Sequence, residues 1–263
     1  NCAPACNTCD FMTIEARCPL DPNAPEVWGP GGLNNMFERL TSEPYLSQYS
    51  VETLSSPKTT NGPWVITMEN VISEEEAQRF IELGDEEGYA RSSDVGKRRP
   101  DGTYEAHVNS GRTSENAWCS GPCSSDEIAQ KVLSRMSNIT EIPAHNSEDL
   151  QLLRYEEGQF YQVHHDYINH HIDRQQGPRI LTMYLYLNDV EAGGGTNFDK
   201  LNVTVLPKLG RALLWPSVID ANPLEKDDRT THQALPVEEG IKFGFNGWFH
   251  LRDFQTPHKN GCT

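Results

Sequence analysis

Residues 161–167 read Tyr-Gln-Val-His-His-Asp-Tyr and place two imidazoles and a carboxylate at His164, His165 and Asp166. The stretch is aromatic and apolar around these groups and is expected to be a β-strand. Strand side chains alternate faces, so His164 and Asp166 point one way and His165 the other. Two ligands on one face can grip one metal ion; a third must come from elsewhere. If it is a histidine, the set is two histidines and a carboxylate, which leaves three positions open on iron(II) for a co-substrate and oxygen. Taken alone, the stretch reads equally as a histidine-rich surface strand, since Asn169-His170-His171 follows at once.

The regions around it set the fold expectation. From Leu150 onward the chain is a series of short β-branched or aromatic runs separated by Gly, Pro, Asn and Asp. They are Leu150–Tyr155, Gln159–Tyr167, Ile180–Leu187, Leu201–Val205, Arg211–Trp215 and Ile241–Phe249. Before them, Trp64–Met68 reads as a strand, and Ser73 with Glu76 forms a capping box that opens a helix. Ser125 or Asp126 caps a second helix, with Ile128, Val132, Leu133 and Met136 on its apolar side. Two helices followed by many strands predict an α+β protein: a double-stranded β-helix, or jelly roll, with the helices packed on one side. Residues 63–263 are expected to form this domain, and residues 1–62 a cysteine- and proline-rich appendage and strap, loop-rich over 27–62. Residues 92–103 read as a polar loop, and Lys97-Arg98-Arg99 within it as a solvated run or a mobile lid.

Composition bounds the partners. The 263 residues carry a net charge of −16, which excludes a nucleic-acid backbone as partner. No apolar run approaches the ~20 residues a membrane span needs. The seven cysteines sit near the two ends (Cys2, Cys6, Cys9, Cys18, Cys262) and in one tight pair, Cys119 and Cys123. Disulfide staples in an oxidising compartment account for this better than zinc, whose usual spacings the N-terminal cysteines do not match. An odd count leaves one thiol over. Asn138-Ile-Thr and Asn202-Val-Thr are glycosylation acceptors and also point to the secretory pathway: the endoplasmic reticulum or Golgi lumen, or the exterior. Nothing in the sequence specifies an oligomeric state.

Candidates for the third ligand are His107, His145, His258 and His232. His232 lies in a strand-like run in the late half, and a closed jelly roll brings an early and a late strand together. Ten residues on, Lys242 is a lone lysine in an apolar strand, where an unpaired ammonium is costly to bury. A dicarboxylate that chelates the metal at one end and meets Lys242 at the other accounts for both.

Four ordered motifs now stand together. They are Leu153-Arg154-Tyr155-x-x-Gly158-Gln159-x-Tyr161-x-x-His164-x-Asp166; Tyr186-Leu187-Asn188-Asp189-Val190-Glu191-x-Gly193-Gly194-x-Thr196-x-Phe198; Pro207-x-x-Gly210-Arg211-Ala212; and His232-x-x-x-Pro236-Val237-x-x-Gly240-x-Lys242. Over residues 64 to 262 the chain resembles the prolyl 4-hydroxylase family of iron(II)- and 2-oxoglutarate-dependent dioxygenases. The resemblance implies that His164, Asp166 and His232 hold iron and that Lys242 pairs with the distal carboxylate of 2-oxoglutarate. It further implies that Thr196 and Tyr155 hydrogen-bond the co-substrate and that Trp248 walls its pocket. Peptide contact is implied for Tyr161, Arg112, Ser114, Glu148, Arg179 and His250. By alternation alone Tyr161 lies on the face opposite His164, so a role beside it requires strand twist or a bulge. The implied reaction is 4-hydroxylation of prolyl residues in a proline-rich peptide or protein, using O2, with 2-oxoglutarate decarboxylated to succinate and CO2 and ascorbate as reductant. Cys2, Cys6 and Cys9 resemble the end of a small six-cysteine module of the ShKT type.

Three positions depart from the family's common pattern: Leu235 where cysteine is common, Phe243 where tryptophan is, and Gly195 where a small or acidic residue often stands. None touches the metal set; they bear on substrate choice. Other substrates for the same chemistry are a lysyl residue, a small molecule or a nucleobase. Acidity counts against the nucleobase, and Lys242, where lysyl hydroxylases tend to carry arginine, against lysyl. Asp166 excludes a halogenase, which needs that position vacant. A non-catalytic jelly-roll binding module is the alternative from another class, disfavoured by the complete ligand set.

Overall fold

In a computed structural model describing residues 13–263, the apolar runs become antiparallel strands. The larger sheet has eight, in the order Glu52–Ser55, Val65–Met68, Ala212–Pro216, Arg179–Tyr186, Lys242–His250, Leu150–Tyr155, Glu115–Cys119 and Ala90–Arg91. A four-stranded sheet, Val203–Val205, Thr196–Phe198, His232–Ala234 and Tyr161–His164, completes the double-stranded β-helix.

Alternation assigns each strand two jobs. Leu153, Tyr155, Tyr184, Tyr186, Leu213 and Trp215 face Phe198 and Val205 of the smaller sheet and form an inner core. Their neighbours Leu152, Leu181, Met183, Leu185, Leu214 and Phe245 face the other way, into an outer core shared with the helices. Central strands buried on both faces therefore read as continuous apolar runs, not as alternating ones.

The helices Glu74–Glu87 and Glu127–Thr140 supply Ala77, Phe80, Leu83, Ala129, Val132 and Met136 to that outer core. Ser73 and Glu76 make the reciprocal capping box. Asp126, not Ser125, caps the second helix, accepting from the amides of Ile128 and Ala129 at 2.9 and 3.3 Å. Arg135 of that helix donates to Glu76 and ties the two helices together.

Two loop expectations are corrected. Residues 27–62 hold the helix Gly32–Leu40, whose Leu33, Met36, Phe37 and Leu40 are buried in the outer core, with Phe37 stacked on Trp64. The same segment supplies the edge strand Glu52–Ser55. Residues 92–103 lie largely in a β-hairpin, Asp94–Arg98 paired with Tyr104–His107. Its turn is held from outside. The Ile14 amide donates to the Asp101 carbonyl at 2.9 Å, Glu15 pairs with Arg98 and Arg174, and Arg174 also donates to the Gly102 carbonyl.

Disulfides join Cys119 to Cys123 and Cys18 to Cys262, the latter packed against Ile14. Cys2, Cys6, Cys9 and the ShKT-like resemblance lie outside the described residues. Among the described residues no helix is long and apolar enough to cross a membrane.

Candidate active site

The ladder of the smaller sheet sets His232, the first residue of its strand, directly opposite His164, the last residue of its own. Asp166 follows in the bend past the strand end. The strand is thus shorter than the expected Gln159–Tyr167, yet the bend keeps the carboxylate with the two imidazoles. Donor atoms of His164, Asp166 and His232 lie within 4.8 Å of one another. His164 Nδ1 donates to the Gln162 carbonyl at 2.8 Å and His232 Nδ1 to the Thr230 carbonyl at 3.0 Å. A carbonyl only accepts, so each ring carries its hydrogen on Nδ1 and turns the Nε2 lone pair toward Asp166, at 4.0 and 3.8 Å. Neutral imidazoles with oriented tautomers, plus one carboxylate, are the donor set a divalent first-row metal needs.

The charges agree. Burial pushes the Asp166 carboxyl up, but His232, His164, Arg179 and the Thr182 hydroxyl outweigh it and hold the group down to about 2. The Thr182 bond to Asp166 Oδ2 is 2.6 Å. Burial and the nearby His232 hold His164 neutral, well below the ordinary histidine range. His165 is turned away. Its Nδ1 accepts from the Tyr167 amide, and its Nε2 contacts the Asp227 carbonyl and the Thr230 hydroxyl. It therefore braces the loop that presents His232, a supporting part that alternation did not reveal.

A narrow cavity runs from these three residues to Lys242, walled by Leu153, Tyr155, Tyr184, Thr196, Trp215 and Asn246. Lys242 is 1% exposed and has no carboxylate partner among the described residues. Its ammonium donates to the Gly194 carbonyl at 2.7 Å and lies 5.0–5.5 Å from the ring centres of Tyr155, Tyr184 and Tyr186. Burial lowers its pKa to about 7. Gly193 and Gly194 both take positive φ, +75° and +67°, and so turn that carbonyl toward the lysine. The Thr196 hydroxyl accepts from Tyr186 at 2.8 Å, which leaves its own hydrogen to give. Tyr155 stands opposite Lys242 in the ladder, its phenol in contact with Ser114.

The remaining expected residues fall into two groups. Tyr161 and Arg112 flank the metal site: the Arg112 guanidinium lies 4.5 Å from the Tyr161 ring centre, and Asp94 accepts from both side chains. Ser114 is buried and donates to Ser92. Glu148, Arg179 and His250 form a second cluster, with Glu148 receiving both other side chains, and Arg179 joins it to the metal site by donating to the Asp166 carbonyl at 3.5 Å. Trp248 is not brought to the cavity. It lies under Arg179, 3.7 Å from guanidinium carbon to ring centre, six residues along the strand from Lys242. Trp215 is the tryptophan in the cavity wall. Trp215 and Tyr184 were missed because a bulky residue in a strand reads as core whichever face it lines, and Asn246 because a lone amide in a strand carries no signal of its own.

Fold and site define an iron(II)- and 2-oxoglutarate-dependent oxygenase, and residues 150–250 match the 2OG-Fe(II) oxygenase superfamily. The chain belongs to the prolyl 4-hydroxylase family. It is 30% identical over 214 residues to prolyl 4-hydroxylase 5 of Arabidopsis thaliana, covering 73% of this chain and 70% of that one. It is 32% identical over 195 residues to prolyl 4-hydroxylase subunit alpha-2 of Gallus gallus, covering 73% of this chain and 35% of that one. The chain thus spans about a third of the length of that subunit, and 51% of probable prolyl 4-hydroxylase 8 of Arabidopsis thaliana, to which it is 37% identical over 150 residues. In fold it is similar to the viral collagen prolyl hydroxylase of Paramecium Bursaria Chlorella virus-1, with a TM-score of 0.57 at 23% identity, covering 73% of this chain and 98% of that one.

Proposed function

We propose that the protein hydroxylates prolyl residues at C4 in a proline-rich peptide or protein of the secretory pathway. The observation that carries this is one cavity with His164, Asp166 and His232 at one end and, at the other, a buried Lys242 without a carboxylate partner among the described residues. Bound iron and 2-oxoglutarate supply the oxidation: one atom of O2 enters succinate as CO2 leaves, and the other becomes the prolyl hydroxyl.

The chain's part is placement. His164, Asp166 and His232 hold the metal on one side and leave the other open. Lys242 meets the distal carboxylate, with Thr196 and Tyr155 as further donors to the co-substrate. The aromatic walls keep water from the cavity and strengthen each of these contacts. Tyr161 and Arg112 face the peptide. Ascorbate serves as reductant. The two disulfides fit an oxidising lumen, and Asn138 and Asn202 are candidate glycan acceptors there.

The test is mass spectrometry of a panel of proline-containing peptides after incubation with protein, iron(II), ascorbate and 2-oxoglutarate. The expected product gains one oxygen at proline, with succinate in equal amount. An absence of succinate with every peptide sinks the proposal. Succinate with oxygen placed on another residue redirects it to a different side chain.

A further inference from the structure

Lys242, Gly244 and Asn246 follow one another on the inner face of their strand, and the first and last line the cavity. Between them the glycine leaves a notch. Tyr184, from the adjoining strand, fills it: a Cβ built on Gly244 would overlap the Tyr184 hydroxyl oxygen. Tyr184 stands opposite Asn246 in the ladder but leans toward Gly244, and so toward the lysine end of the cavity. Its ring is 5.3 Å from the Lys242 ammonium. The residue is 5% exposed, and its hydroxyl has no hydrogen-bond partner among the described residues.

A buried hydroxyl without a partner is a penalty that folded proteins seldom keep. Lys242 is under-satisfied in its own way, since among the described residues its one oxygen partner is the neutral Gly194 carbonyl. A hydroxyl with no acceptor and an ammonium with only a neutral one thus line one cavity, and the far end of that cavity is the metal site. A carboxylate offers about four acceptor positions and can take several donors at once. Lys242 spends one hydrogen on Gly194, and Tyr184 adds one from a second direction. Burial also keeps the phenol protonated, because it pushes the Tyr184 pKa well above the ordinary tyrosine range.

We propose that Tyr184 is a second anchor for the distal carboxylate of the 2-oxo acid co-substrate, beside Lys242, and that Gly244 is the residue that makes room for it. This rests on the role given to Lys242 above. Two donors at that end reward a 2-oxo acid with a second carboxylate and give nothing to one without it, so the pair sets co-substrate selectivity.

The test is calorimetry with the metal-loaded protein, using manganese(II) in place of iron so that no turnover occurs, and 2-oxoglutarate and pyruvate as ligands. Tyr184→Phe removes the hydroxyl and keeps the ring. The expected result is a loss of 2-oxoglutarate affinity of about tenfold or more, the range for a hydrogen bond to a charged group, with pyruvate affinity unchanged. Gly244→Ala displaces the end of the Tyr184 ring and is expected to lower 2-oxoglutarate affinity as well; its Cβ would also crowd the Leu185 carbonyl, so Tyr184→Phe is the deciding variant. Unchanged 2-oxoglutarate affinity in Tyr184→Phe overturns the proposal, as does an equal loss for both ligands, which marks a packing effect. If the unaltered protein fails to prefer 2-oxoglutarate over pyruvate, the role of Lys242 falls first and this one with it. Thermal unfolding of each variant accompanies the titration, so that a folding defect is read as such.

Discussion

The rings of Tyr161 and His164 are stacked, 3.6 Å between centres, although regular alternation puts them on opposite faces of their strand. The ladder supplies the reason. His232 stands opposite His164 and Ala234 opposite Tyr161, so three steps on one strand match two on the other. The extra residue is a β-bulge, and bulges commonly re-aim a side chain beside a site. Twist alone does not account for the change of face; the irregular register does.

The partner of that stack lies on the hairpin. Asp94 accepts from the Tyr161 hydroxyl at 2.8 Å and sits 3.4 Å from the Arg112 guanidinium. Asp94→Ala is expected to free the Tyr161 hydroxyl, while Arg112 keeps its bonds to the Ser93 carbonyl and Gln151, raising the peptide KM about tenfold and leaving 2-oxoglutarate affinity near its original value. Steady-state kinetics with each substrate varied in turn checks this; equal loss for both substrates counts against it.

Thr182 holds one oxygen of Asp166 and leaves the other free. Thr182→Val keeps the shape and removes the donor. Metal affinity is expected to fall about 10- to 100-fold, as for other groups that orient a ligand. Titration with iron(II) or manganese(II) against a competing chelator measures it.

Lys242 has a signature in pH. Its pKa is about 7 in the folded chain against 10.5 for the ordinary lysine. Below pH 7 both states hold the proton, and the cost of burying the ammonium is fully present. Between 7 and 10.5 the unfolded chain holds more protons, so stability rises with pH across that window. From pH 7 to 9 the ligand-free protein is expected to gain roughly 2 kcal/mol relative to Lys242→Met, at up to about 1.4 kcal/mol per unit. Denaturant unfolding of both proteins at the two pH values gives the difference; parallel behaviour refutes it.

Glu148 is buried between Arg179 and His250, whose charges and hydrogen bonds more than offset the burial and hold its carboxyl far below the usual range. Glu148→Ala leaves Arg179 without its buried partner and is expected to cost about 3–5 kcal/mol of stability. Urea unfolding reads this as a lower midpoint. A variant as stable as the parent would show instead that Glu148 is free to serve another contact.

How much of this was legible in the residues depended on what each segment buries. Leu150–Tyr155 and Lys242–His250 are covered on both faces, and their apolar runs gave them away. The hairpin at Asp94–His107 was not legible, because its two strands pair chiefly with each other and carry largely exposed polar side chains. The helix Gly32–Leu40 did carry a signal, Leu33, Met36, Phe37 and Leu40 at helical spacing. It starts within the Gly31-Gly32 pair with no side-chain cap, which reads as a turn. In the site, His164 and His232 could be named because four ordered motifs resemble one family; the strand alone reads equally as a histidine-rich surface. Trp215 and Tyr184 could not, because packing alone explains an aromatic residue.

The disulfide between Cys18 and Cys262 joins positions 244 apart in the sequence, and the segment it anchors also grips the hairpin through Ile14 and Glu15. Anyone preparing the protein inherits that arrangement. Trimming to residues 63–263, the span that carries the motifs, removes the clasp on the hairpin, the buried helix Gly32–Leu40 and one edge strand, and leaves Cys262 as an unpaired thiol. Expression in a reducing cytosol would leave the full chain intact and the clasp unsealed. The choice of host compartment therefore decides whether the segment that grips the hairpin is tied covalently to the C-terminus or held by its noncovalent contacts alone.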